Sequence, residues 1–110
     1  MANTFINRIS GSIGTTETTI YTTPAVTTTT VIGVAVSNRL QSNILVDVKL
    51  TESGGSNIAY LCTGSLIPPG SNIILVGGEQ KVVMETGDSL SLRSNVALSA
   101  DIIVSALEIS

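Results

Sequence analysis

Residues 79–95, EQKVVMETGDSLSLRSN, decide the fold. Val82 and Met84 alternate with Lys81, Val83 and Glu85. After Thr86-Gly87-Asp88 the alternation resumes, with Leu90 and Leu92 set against Ser89, Ser91 and Arg93. Period-two alternation on both sides of a Gly-Asp corner predicts two strands joined by a tight turn, a hairpin. Gly87 supplies the positive φ that a short connection needs. The Asp88 carboxylate is suited to accept hydrogen bonds from nearby backbone N–H groups and hold the corner closed. Nothing in the stretch is equipped for bond-breaking chemistry; its signal is architectural.

Outward from this stretch the same grammar continues in both directions. Downstream, ADIIVSALEI (100–109) reads as a closing strand, with Ile103, Leu107 and Ile109 on one side and Ile102 and Val104 on the other, an apolar outer face. Upstream, residues 71–76 form a short apolar strand ended by Gly77-Gly78, and Leu66-Ile67-Pro68-Pro69-Gly70 is a rigid corner because two prolines fix φ. Residues 57–63 predict a strand with Ile58, Tyr60 and Cys62 on one inward face, preceded by the turn Ser53-Gly54-Gly55-Ser56.

The cleanest strand is 43–52, NILVDVKLTE, whose Ile44, Val46, Val48 and Leu50 face the core while Leu45, Asp47, Lys49 and Thr51 face water. Residues 27–37 predict a strong strand with a bulge or close backbone approach at Gly33. Residues 15–23 predict a weaker one that stops at Pro24. The first fourteen residues hold Phe5, Ile6, Ile9 and Ile13 in spacing that fits neither a clean strand nor a clean helix; they read as an extended arm leading into a first strand, with an ordinary edge strand of the domain itself as the alternative.

The expected fold is therefore all-β: an antiparallel two-layer β-sandwich, jelly-roll or Ig-like, of about eight strands. The arm spans residues 1–14 and the sandwich domain 15–110. Val46, Val48, Leu50, Leu90 and Leu92 are its predicted core.

Composition narrows the function classes. Hydrophobic residues make up 43% of the 110 and charged ones 12%, about half the usual charged share. Such a domain, alone, exposes apolar surface and strand edges that an assembly would cover. The five basic residues are scattered singly in a chain of net charge −3, which argues against a nucleic-acid surface. No apolar run reaches the roughly 18 residues of a membrane span, and the start lacks the order of a signal peptide. There is no histidine, which removes the commonest general base and metal ligand. The one cysteine, Cys62, alternates with apolar neighbours and reads as a small core residue. The carboxylates lack calcium-loop spacing, and the glycine pairs precede no helix with a lysine. The chain is expected to be non-enzymatic, with no catalytic, cofactor or metal residues.

With the strands placed, a likeness emerges. The run YTTPAVTTTTVIGVAVSN, the strand SNILVDVKL, the block LIPPGSNIILVGGEQKVVMETGDSLSLRSN and the closing ADIIVSALEI resemble short virion structural proteins of tailed bacteriophages. The shared features are a Tyr-Thr-x-Pro-Ala start, a Thr-rich strand, a Pro-x-Gly corner and a strand followed by Thr-Gly-Asp. They cover most of residues 20–109. The resemblance implies a particle component assembled in the bacterial host cytoplasm: a capsid decoration (cement) subunit, or a neck, tail or baseplate part. Implied partners are further copies of itself and the major capsid protein or another virion protein, with neither nucleic acid nor membrane. A carbohydrate- or receptor-binding fibre module is the further alternative, weakened by the expected inward Tyr60. Candidate assembly anchors are Phe5, Ile6 and Ile9, on the arm.

Overall fold

A computed structural model describes residues 3–77 and 81–110. Met1 and Ala2, at the head of the expected arm, lie outside the described residues, as do Gly78, Glu79 and Gln80 beside the decisive stretch. The described residues form nine strands: β1 (Asn3–Ile13), β2 (Thr18–Thr22), β3 (Thr28–Asn38), β4 (Ile44–Thr51), β5 (Ile58–Ile67), β6 (Asn72–Val76), β7 (Val82–Met84), β8 (Ser89–Ser94) and β9 (Ala100–Ile109). All pairings are antiparallel. The all-β sandwich expected from alternation is the fold observed.

One layer has the order β1-β9-β3-β6, with β7 also on β3; the other has the order β2-β8-β4-β5. β7 pairs with Thr29–Val31 and β6 with Val34–Ser37, so the two short strands serve as one interrupted strand along β3. The chain changes layer at every connection except β4–β5 and β6–β7. That winding is the jelly roll, two Greek keys rolled together, and it decides between the two sandwich orders open at the sequence level. Between the layers lie Val31, Val34, Val36, Val46, Val48, Leu90, Leu92, Ile102 and Val104, all almost fully buried. Each contributes roughly 1.5–3 kcal/mol by leaving water. Leu50, expected among them, is half-buried against their margin.

Four expectations need correction. The Gly-Asp corner is not a hairpin: β7 lies in one layer on β3, and β8 lies in the other between β2 and β4. Alternation is identical for two strands side by side and for two strands facing each other across a core. The corner groups bond elsewhere, Gly87 N–H to the Thr23 carbonyl at 3.1 Å and Thr23 N–H to the Asp88 carbonyl at 2.9 Å. Within the corner, Gly87 does take φ +86, and the Asp88 carboxylate accepts from Glu85 N–H at 2.9 Å and Ser53 N–H at 3.1 Å.

Residues 3–13 are not a separate arm. β1 pairs along β9 from Asn3 opposite Ile109 to Ser10 opposite Ile102, then slips before Ile13 meets Ala100. Ser12 takes φ 56 at that irregularity, and a break in phase before Ile13 hides the strand from pattern reading. Apolar Phe5 and Ile9 on the solvent side obscure it further.

Tyr60 does not point inward. Cys62 faces Val48 across the ladder, yet Tyr60 faces Lys49, so two residues of β5 oppose one of β4 and the alternation changes phase. The Tyr60 ring is exposed, whereas Cys62 stays half-buried with its thiol 3.8 Å from the Val46 carbonyl. Likewise Ile102 and Val104 are core residues, and the outer side of β9 is that of Ile103, Leu107 and Ile109. The Gly33 bulge is present, with register slipping between Val31 and Gly33.

Candidate interaction surface

The two outer faces of the sandwich differ in chemistry. On the four-stranded layer, Lys49 reaches Glu17 at 2.7 Å and Arg93 reaches Asp47 at 3.7 Å. Asp47 also accepts from Gly64 N–H at 2.7 Å and from the Thr63 hydroxyl at 3.2 Å. These are the charges of a solvated face, each exposed pair worth at most about 1 kcal/mol.

The five-stranded layer presents something else. Register aligns its outward side chains in three rungs across the strands. The first runs Phe5–Leu107–Thr30–Val83, the second Asn7–Ser105–Gly33, and the third Ile9–Ile103–Ala35–Ile74. No member of these rungs is charged. Exposure is high where it is normally avoided: Phe5 75%, Ile9 67%, Ile74 63%, Val83 58% and Ile103 50%. Between the two apolar rungs lies a hollow lined by Phe5, Ile6, Asn7, Arg8, Ile32, Ser105 and Ala106. Charges stand at the margin of the first rung: Lys81 and Glu85, each two residues from Val83, are exposed, Arg8 lies 5.6 Å over the Tyr21 ring, and Glu108 accepts from the Tyr21 hydroxyl. Asp101 stands at the far end, tied to Arg39 and Ser12.

Of the residues singled out from the sequence, Phe5 and Ile9 lie on this face, while Ile6 turns inward and packs half-buried on the core. The sequence reading missed Ile74, Val83, Ile103 and Leu107, because strand neighbours are set by register and not by spacing. The signal available was the run of apolar residues on both sides of β6, β7 and β9.

The titration of Tyr21 is displaced by its surroundings. Burial, and then the hydrogen bond to Glu108, hold its phenol above the ordinary value. Among the described residues no three metal-ligating side chains gather where an ion could be held. No family model, curated protein or solved structure matches the chain.

Proposed function

We propose that this protein is a non-enzymatic structural subunit of a bacteriophage particle, a capsid decoration (cement) protein acting through subunit–subunit contacts on the head. The observation that carries the reading is the apolar outer face of the five-stranded layer, whose three rungs carry no charged side chain. An exposed patch of that kind on a small domain marks a contact surface. The likeness of residues 20–109 to phage virion proteins supplies the particle, and the partners it implies are further copies of this chain and the major capsid protein. Jelly rolls also recur in viral capsids, an analogy of fold alone.

The test is to locate the protein in intact particles by cryo-electron microscopy. Ordered density on the head exterior, with loss of head stability when particles assemble without it, is the expected result. Density at the neck, tail or baseplate would replace decoration by that role, and absence from purified particles would overturn the reading. The exposed Tyr60 ring, beside Lys49 on the edge strand β5, favours one second reading, a carbohydrate-binding fibre module, because sugar rings stack on open aromatics. Retention on a glycan array, abolished by Tyr60→Ala, would establish it.

A further inference from the structure

We infer that the five-stranded face is an isologous homodimer interface, in which Phe5 of one copy seats in the Asn7–Ile32–Ser105 hollow of a second copy and the reverse. The inference deepens the proposed function by naming the partner of that face, and it rests on reading the face as a contact surface.

Shape is the first argument. The face holds an apolar ridge, Phe5–Leu107–Thr30–Val83, directly beside a rung of small side chains, Asn7–Ser105–Gly33. The hollow is lined along β9 and β3 by Ser105 and Ile32, and beside it a Cβ built on Gly33 would meet nothing closer than 3.8 Å. A ridge next to a groove is complementary to itself under a two-fold axis lying in the plane between two sheets, which sets each ridge over the partner's groove. Two-fold pairing is also the commonest closed symmetry among soluble oligomers.

Charge is the second argument. The chain carries a net charge of −3, so two copies repel weakly at long range. The three rungs carry no charged side chain, and the paired ions Lys49–Glu17 and Arg93–Asp47 lie on the opposite layer. Arg8, which lines the hollow, lies over the Tyr21 ring; a second copy therefore meets the rungs themselves without burying like charges, whereas the opposite face would force desolvation of ion pairs.

Size is the third. Four strands abreast at about 4.8 Å spacing, and about ten residues long, cover roughly 600 Å² of flat sheet. Side-chain relief raises the accessible area toward the approximately 800 Å² per partner of a standard stable interface. Face-to-face sheet packing at about 10 Å is moreover the arrangement that already joins the two layers of each copy.

The experiment is the mass of the full chain in solution, by light scattering at high micromolar concentration, for the wild type and three variants. The wild type is expected at twice the 11.3 kDa of one chain. Phe5→Lys and Ser105→Arg are each expected to halve the mass while keeping the sheet signature by circular dichroism and a cooperative melt. Tyr60→Lys, on the opposite layer, is expected to leave the dimer intact. A monomeric or higher-order wild type, or a dimer that survives both face variants, would overturn the inference. So would dissociation by Tyr60→Lys alone. The two claims fail separately: a monomer found on phage heads sinks the dimer and keeps the virion role, and a dimer absent from particles does the opposite.

Discussion

The Tyr21 hydroxyl, on β2, donates to the Glu108 carboxylate on β9 at 2.5 Å and lies 2.7 Å from the Thr29 hydroxyl on β3. One side chain thus ties the two layers together at one end of the sandwich. Its ring is buried, so the phenol can be satisfied only by these partners.

That tie makes stability depend on alkaline pH. Burial and the bond to Glu108 raise the Tyr21 phenol above its ordinary 10.0. In the unfolded chain the phenol loses its proton near pH 10, while in the folded protein it keeps it. The folded state then binds more protons, so this stabilisation is fully present below about pH 10 and is lost as pH rises through the folded-state value. Tyr21→Phe should cost roughly 1–3 kcal/mol at neutral pH and should flatten the fall in urea midpoint above about pH 10. An unchanged alkaline slope in Tyr21→Phe would show that other groups govern it.

Gly87 is constrained twice. Its φ is +86, and an added Cβ would stand 2.5 Å from the Ser53 hydroxyl oxygen and 2.8 Å from the Ser53 Cβ. Gly87→Ala should therefore destabilise by about 2–4 kcal/mol, from backbone strain and crowding together. In a Ser53→Gly background the crowding is gone and only the strain remains, so the cost should drop by at least about 1 kcal/mol. Chemical denaturation of the four proteins measures both, and equal costs in the two backgrounds would show that contact with Ser53 is irrelevant.

Asp88 joins the same corner to the turn after β4. Its two oxygens take the Ser53 and Glu85 N–H groups, and it is almost wholly buried. Asp88→Ala strands both donors and should cost about 2–4 kcal/mol, whereas Asp88→Asn keeps one acceptor oxygen and should cost less. If the two substitutions prove equally mild by thermal melting, the carboxylate does not organise the corner.

Val48 is fully buried between β8 and β5. Val48→Asp should abolish folding, since an isolated carboxylate there costs several kcal/mol against a total stability of about 5–15 kcal/mol. A soluble variant with a cooperative melt would contradict the strand register.

Deleting residues 2–12 should now unfold or aggregate the protein, in contrast to what a detachable arm would allow. The deletion strips β9 of a partner from Ser10 to Asn3, baring a long apolar edge. It also uncovers the core beneath Ile6. Light scattering and circular dichroism of the truncated chain decide the matter, and a monodisperse, cooperatively melting product would restore the arm.

The sequence by itself determined the fold class, most strand positions, the inward faces of β4 and β8, and the chemistry of the Gly87-Asp88 corner. These are local: side-chain alternation has a period of two wherever one face is buried, and a positive φ selects glycine within a few residues. What the tertiary structure decided is everything set by pairing. Whether Met84 and Leu90 sit side by side or face each other across the core leaves the same pattern in the chain, and only the partners of β7 and β8 distinguish the two. Tyr60 turned outward because one bulge against β4 reversed the phase, a shift invisible without the opposing strand. The rungs Phe5–Leu107–Thr30–Val83 and Ile9–Ile103–Ala35–Ile74 gather residues up to about a hundred positions apart, through ladder hydrogen bonds that carry no trace in local spacing. The candidate interface was therefore legible only as its first strand, in Phe5 and Ile9, and became a surface when the register placed β9, β3, β6 and β7 beside it.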